Sequence, residues 1–179
     1  MKKTLISLLA VLSLASCNQQ LQTTYDSQDK KINSFIASQL SSGAAKRVYV
    51  NEGCSRLVLE EGEGPDSLSA EGKVTFRYAA YTFTGSLSKN NLFDTNDEEI
   101  AASSGWKGIV TDNSARTLDL GTDKVMPGLR NGLYGVKKGQ VCYIVFNGKY
   151  GFGSKPIGTV ASNSALLYHI KVESIENQN

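Results

Sequence analysis

Histidine is scarce in this sequence, which contains a single one, His169, among 179 residues. Catalytic arrangements of the Ser/His/Asp or Cys/His type need a histidine beside a nucleophile, and His169 lies on the more polar face of a strand-like run. We therefore exclude those arrangements and predict that His169 is an exposed strand residue. Apart from Cys17 near the N-terminus, the sequence has two cysteines and this one histidine, without ligand spacing. They cannot assemble a closed zinc site, so no metal is expected.

Long apolar runs are missing as well. The longest one, residues 5–14, falls short of the about 20 residues that a membrane-spanning helix needs. The 17 glycines have no three-residue period, and the hydrophobic fraction of 40% is that of a globular protein. These two features exclude collagen-like and disordered chains, and the length fits one compact domain.

The N-terminus has the pattern of a secretory signal. Lys2 and Lys3 precede the apolar run, and residues 14–17, Leu-Ala-Ser-Cys, resemble the lipobox of bacterial lipoproteins. The resemblance implies cleavage after residue 16 and acylation of Cys17, which anchors the protein to a membrane. We therefore expect a signal peptide over 1–16 and a lipid-anchored protein of the bacterial cell envelope, periplasmic or associated with the outer membrane.

Charge of one sign is not in excess once the signal is removed. The 19 basic side chains include Lys2 and Lys3, so 17 remain against 17 acidic ones. Without a basic run, neither nucleic acid nor anionic lipid is expected as an electrostatic partner. Cys54 and Cys142 would lie in an oxidising compartment, where they either form a disulfide between neighbouring strands or remain two half-buried thiols.

Residues 17–50 are predicted to connect the lipid to the domain. The stretch 18–26 is polar and unpatterned, which is typical of a tether. Apolar residues then recur at helical spacing and predict a short amphipathic helix over 27–40; they are Ile32, Phe35, Ile36 and Leu40. This stripe either packs on the domain or recruits a partner, and we favour the packing.

From residue 48 onward, short apolar runs alternate with Gly, Asn, Asp and Ser, which predicts antiparallel strands at 56–60, 73–83, 117–120, 140–147 and 165–175. Between them, Pro127 at a first helical position and Gly135 as a terminator predict one short helix. This order predicts an α+β fold with the sheet wrapped around that helix. The segment 95–116 has no clear period and is predicted to be a large inserted loop.

Five motifs follow one another in a recognisable order: VTFRYAA, LFDTN, LDLGTDKVMPGLRNGLYGVKKGQ, YGFG and VASNSALLYHIKV. In this order and spacing they resemble the FKBP-type peptidyl-prolyl cis-trans isomerases over residues 54–176. The resemblance implies a domain over 51–179 in which a twisted antiparallel sheet curves around one short helix. It also implies an apolar pocket between the sheet and the helix.

The implied chemistry needs no cofactor, metal or covalent intermediate. Resonance gives the X-Pro amide a rotational barrier of ~18–20 kcal/mol, and a dry aromatic pocket removes the advantage that water gives to the planar form. The resemblance assigns catalysis to Tyr78, Phe93, Asp94 and Phe152, and substrate contacts to Val125, Met126, Leu129, Ile157, Val160 and Tyr168. Asp94 can also be a simple turn residue. Phe93, Val125 and Tyr168 would be core residues in almost any interpretation.

Several pocket positions depart from the family pattern. Leu129 stands where a tryptophan commonly forms the pocket floor, and Phe152 stands where a tyrosine hydroxyl would bond the ligand. Arg116 aligns near a position that is usually aromatic, and Trp106, in the inserted segment, could fold over the pocket in its place. These changes keep an apolar pocket while lowering the expected catalytic efficiency.

The function expected from this resemblance is isomerisation of X-Pro bonds in unfolded or extended exported proteins. Immunosuppressant-type macrolides are further expected ligands, and a monomer is favoured over a dimer. Two alternatives stay open. The first is a non-catalytic binding module that holds a protein partner at the envelope, and the second is an unrelated β-rich lipoprotein that binds a glycan or small apolar ligand.

Overall fold

In the computed structural model, residues 2–105 and 114–178 are described, with side chains from residue 19 onward. Helices and strands follow one another along this part of the chain. The helices are α1 (Lys2–Ser41), α2 (Glu98–Ser104) and α3 (Pro127–Leu133). The strands are β1 (Arg47–Asn51), β2 (Cys54–Glu60), β3 (Lys73–Thr82), β4 (Leu92–Thr95), β5 (Arg116–Asp119), β6 (Val141–Phe146) and β7 (Leu166–Glu176).

The strands form one antiparallel sheet in the order β1-β2-β6-β7-β3-β4, with β5 also pairing with β3. Strand β3 pairs with three other strands. Its first half pairs with β5 and its second half with β4, while β7 runs along its other edge. The predicted α+β class, an antiparallel sheet around one short helix, is confirmed.

Helix α3 packs on one face of the sheet at close range. A methyl group at Gly128 would overlap the Phe146 ring, and one at Gly132 would overlap Ile144. Pro127 occupies the first turn of α3, where its missing N–H costs nothing, and Gly135 just after the helix has a φ of +77°. The predicted helix therefore forms as expected, and its small residues allow it to lie against the strands.

Helix α1 covers the opposite face. Ile32 and Phe35 are buried there, and the Phe35 ring meets the Phe83 ring edge-on at 5.3 Å between centroids. Polar contacts fix the helix as well, since the Tyr25 hydroxyl donates to Asn163 Oδ1 at 2.9 Å. Ile32, Phe35 and Ile36 of the predicted stripe pack on the domain, as favoured from the sequence, whereas Leu40 is exposed.

Helix α1 is longer than predicted. The polar stretch 18–26 is part of the helix rather than an irregular tether. The described backbone is helical from Lys2 to Ser41, and the sequence has no Gly or Pro until Gly43, whose φ is +73°. Within the described residues, no helix is both long enough and apolar enough to span a membrane.

The segment 95–116 is not simply a loop. Asp97 caps the N-terminus of α2 by accepting a hydrogen bond from the Ile100 N–H at 3.1 Å, and Gly105 ends the helix at a φ of +66°. The Asp97 carboxylate also pairs with Lys171 Nζ on β7 at 2.8 Å, which attaches α2 to the sheet. Trp106 lies outside the described residues.

The two cysteines do not pair. Cys54 is opposite Phe146 and Cys142 is opposite Val58, four residues farther along β2. This offset is about 13 Å along the strand, whereas a disulfide needs Cα atoms within about 7 Å. Both thiols are free and buried, and burial raises the pKa of each to about 12. The disulfide alternative is therefore wrong.

His169 is not an exposed strand residue, contrary to the prediction. It is half-buried on the face that α1 covers, with its ring 5.3 Å from the Tyr143 ring between centroids. Burial lowers the pKa of its imidazole, so the neutral form is favoured. His169 therefore packs against Tyr143 in the sheet.

Candidate active site

A cleft opens between the start of α3 and the strands that face it, with about 430 Å³ of empty space that includes its opening to solvent. Its walls combine aromatic, apolar and charged side chains from β3, β4, β5, β7, α3 and the loop before α3. They are Phe76, Tyr78, Asp94, Arg116, Leu118, Lys124, Val125, Met126, Leu129 and Tyr168. A larger groove lies at the other end of α3, near Tyr49 and Tyr134, but none of the predicted pocket residues lines it.

The pairing of β3 with β4 brings Tyr78 and Asp94 together. Ala80 is opposite Asp94 in the sheet, and the Tyr78 hydroxyl donates to Asp94 Oδ2 at 2.7 Å. Burial, and then the hydrogen bond to Asp94, raises the pKa of the Tyr78 phenol to about 12. Tyr78 therefore stays protonated at neutral pH and holds one carboxylate oxygen of Asp94.

Aromatic rings form the wall behind this pair. The Phe93 ring meets Tyr168 edge-on at 6.4 Å and Phe152 at 6.1 Å between centroids, and Tyr168 stacks on Phe146 at 6.1 Å. Burial raises the pKa of the Tyr168 phenol. A polar group in this part of the cleft is thus surrounded by side chains that offer it little solvation.

The floor and one edge of the cleft come from the start of α3. Leu129 is 6% exposed and closes the bottom, while Val125 and Met126 form the edge. The Tyr168 hydroxyl lies 3.9 Å from Met126 Sδ. Among the described residues, no acceptor receives the Met126 N–H, which leaves this backbone donor for a bound molecule.

Ile157 and Val160 lie in a tight turn beyond Phe152. Each backbone N–H donates to the other residue's carbonyl, at 3.0 and 2.9 Å. Val160 is 2% exposed and belongs to the same core cluster as Tyr168, whereas Ile157 is 51% exposed. Six of the ten predicted pocket residues therefore line the cleft. Phe93 and Phe152 pack behind Tyr168, and Ile157 and Val160 are not part of the lining.

Two residues that fix the site were not singled out from the sequence. Asn96 Oδ1 accepts from the Tyr78 N–H at 2.7 Å, and the Thr95 hydroxyl donates to the Tyr78 carbonyl at 2.6 Å. They hold the backbone of Tyr78 where β4 ends. Their signal was present in the LFDTN motif, but an Asn after a strand is equally typical of a plain turn.

The charged groups of the cleft suit the binding and polarisation of a polar ligand group. In the described part of the chain, no group of three or more His, Cys, Asp or Glu side chains could hold a metal ion. A carboxylate, a phenol and a free backbone N–H at the mouth of an apolar cleft can hold an amide and change its solvation.

Comparison with known proteins gives consistent matches. A family model described as FKBP-type peptidyl-prolyl cis-trans isomerase matches residues 69–173. FK506-binding protein 1 of Aspergillus oryzae is 24% identical over 123 residues, which are 69% of this chain and 98% of that protein.

Two solved structures share the fold. A peptidyl-prolyl cis-trans isomerase from Pseudomonas syringae pv. tomato has a TM-score of 0.58 at 16% identity, covering 87% of this chain and 96% of its own. A multi-domain immunophilin from Arabidopsis thaliana has a TM-score of 0.59 at 20% identity, covering 74% of this chain. The chain spans 46% of that immunophilin.

Proposed function

Because the chain belongs to the family of FKBP-type peptidyl-prolyl cis-trans isomerases, we propose that its cleft isomerises X-Pro bonds in extended segments of exported proteins. The observation that carries the proposal is the Tyr78–Asp94 pair at the mouth of an aromatic cleft. No other chemistry is needed, since the reaction is rotation about one amide bond.

The cleft lowers the barrier by changing the surroundings of the amide. Water stabilises the planar amide because resonance places charge on its oxygen, and the aromatic wall around Tyr168 withdraws that stabilisation. The prolyl ring enters over Leu129, and the Met126 N–H donates to a substrate carbonyl. Each ~1.4 kcal/mol removed from the barrier speeds the rotation tenfold.

Asp94 acts on the twisted amide electrostatically. Tyr78 holds one of its oxygens, so the carboxylate keeps a fixed direction toward the reacting bond instead of rotating freely. The raised pKa of Tyr78 keeps this hydrogen bond intact across the neutral pH range.

The test is the isomerisation rate of a Leu-Pro tetrapeptide with the purified protein and its Asp94→Ala variant. We expect at least a tenfold loss of kcat/KM in the variant, because the polarising carboxylate is removed. Asp66→Ala, which changes an exposed carboxylate outside the cleft, is the matched control and should keep full activity. Equal rates for the wild type and Asp94→Ala would contradict the proposal.

A second candidate function is supported by Leu129 and Phe152. The aliphatic floor gives the prolyl ring no aromatic surface, and Phe152 provides no hydroxyl to a ligand. A folded protein that binds X-Pro peptides through the cleft but does not accelerate their isomerisation would indicate a holding module instead of an enzyme.

The cleft is also proposed to take an FK506-type macrolide, as the name of the Aspergillus relative suggests for that protein. Competition between the macrolide and an X-Pro peptide would test this.

We also propose that lipid on Cys17 anchors the protein in the bacterial envelope. The mass of the N-terminal peptide, compared with that of a Cys17→Ser variant, would test this anchoring.

A further inference from the structure

Two basic side chains, Arg116 and Lys124, line the cleft together with the single carboxylate of Asp94. Both are exposed, and both come from one stretch of chain, since Arg116 begins β5 and Lys124 lies in the loop before α3. This wall of the cleft is therefore cationic, opposite in character to the aromatic wall formed by Phe93 and Tyr168.

Neither cation forms an ion pair within the described residues. The ion pairs there involve Arg47, Lys73, Arg77 and Lys171, and none includes Arg116 or Lys124. Asp94 accepts the hydrogen bond from Tyr78. The cleft thus carries two positive charges against one negative charge.

Arg116 lies close to the reacting end of the cleft. Its charge and then its hydrogen bond lower the pKa of the Tyr78 phenol, acting against the larger effects of burial and Asp94. Under the proposed function, the carbonyl of the residue before proline lies beside the Tyr78–Asp94 pair. The side chain of that same residue then enters the part of the cleft that Arg116 lines with Tyr78 and Asp94.

We infer that Arg116 and Lys124 make this site selective for X-Pro bonds in which X is acidic. The inference rests on the isomerase function proposed above and names its substrate class. A glutamate before the proline supplies the negative charge that the cleft itself lacks, whereas a lysine at that position is repelled.

The test compares two tetrapeptides of equal shape, Ala-Glu-Pro-Phe and Ala-Gln-Pro-Phe, at low ionic strength. For two solvent-exposed cations we expect kcat/KM to be about threefold to tenfold higher for the glutamate peptide. In 0.5 M salt, where the screening length falls to about 4 Å, the ratio should approach one.

Arg116→Gln and Lys124→Gln should each lower the ratio of kcat/KM for the glutamate peptide to kcat/KM for the glutamine peptide. Arg116→Lys keeps the charge and should restore most of the preference. Arg47→Gln is the matched control, because Arg47 of β1 pairs with Glu61 and does not line the cleft. A merely structural role for Arg116 would change both peptides equally and would not respond to salt.

The outcomes separate the inference from the function on which it rests. Acceleration of both peptides with a Glu/Gln ratio of one overturns the inference and leaves the isomerase intact. If neither peptide is accelerated, the isomerase function is overturned, and the same pair is compared for binding by backbone amide shifts of Val125 and Leu129. Equal affinities would then overturn the charge selectivity as well.

Discussion

Replacing Asn96 by alanine should both destabilise the fold and weaken the site, because this buried amide ends β4 and holds the backbone of β3. Asn96 is 5% exposed. Its Oδ1 accepts from the Tyr78 N–H at 2.7 Å, and its Nδ2 donates to the carbonyls of Phe76 at 3.4 Å and Ser114 at 3.0 Å. Alanine removes all three contacts and leaves the partly buried Tyr78 N–H without this acceptor.

The cost follows from these contacts. An unsatisfied buried N–H costs about 1–3 kcal/mol, and each lost hydrogen bond contributes roughly 0.5–1.5 kcal/mol, with the longest contact at the low end. We expect the free energy of unfolding to fall by about 2–4 kcal/mol. In urea unfolding this appears as a lower midpoint with an unchanged slope.

Activity should fall more than stability alone explains, because Tyr78 loses the backbone support that directs its hydroxyl to Asp94. Under conditions where the variant is fully folded, we expect kcat/KM for a Leu-Pro peptide to drop about tenfold. Asn90→Ala is the matched control, since Asn90 is exposed in the turn before β4 and should cost less than about 0.5 kcal/mol. An Asn96→Ala protein with the wild-type unfolding midpoint would refute the reasoning.

Two further predictions concern packing and pH. In Gly132→Ala, the new methyl group overlaps Ile144 where α3 contacts the sheet. The free energy of unfolding should therefore fall by about 1–3 kcal/mol, measured by thermal unfolding. An unchanged unfolding transition would contradict this close approach of α3 to the sheet. The folded state raises the pKa of Tyr78 from about 10 to about 12, so the folded chain keeps this proton longer than the unfolded chain does. The contribution of Tyr78 to stability should therefore be constant below pH 10 and fall as the pH rises toward 12. Absorbance of tyrosinate against pH checks this, since a Tyr78→Phe variant should lose the phenol that titrates near 12.

The sequence was informative where one local signal decided the structure. Pro127 and Gly135 mark the two ends of α3, and the long runs of β3, β6 and β7 are strands by composition alone. The five-residue β1 and four-residue β4 were not predicted as strands, because they are short and lie at the edges of the sheet. The seven-residue α2 did carry a capping signal in Asp97 and Gly105, but its segment has no hydrophobic period to support it.

Features that depend on strand register could not be predicted from the sequence. Whether Cys54 and Cys142 can pair is decided by an offset of four residues between β2 and β6. The contact of Tyr78 with Asp94 likewise requires that β4 meets β3 at Ala80, and only the family resemblance indicated it. The Asn96 side chain accepts a hydrogen bond from the β3 backbone just after β4 ends. A side chain that replaces a backbone hydrogen bond between strands leaves no periodic pattern in the sequence.

The loose alternation of β7 has a physical explanation in the two covered faces of the sheet. Leu166, Tyr168 and Ile170 face α3 and the cleft, whereas Leu167 joins the cluster under α1. A strand that is buried on both sides reads as a nearly continuous apolar run, even in an antiparallel sheet. On β3, Tyr78 and Ala80 face the cleft side while Ala79 and Tyr81 face α1, so one strand carries both the site and the docking surface of the helix. Packing of α1 therefore supports the backbone from which Tyr78 reaches Asp94.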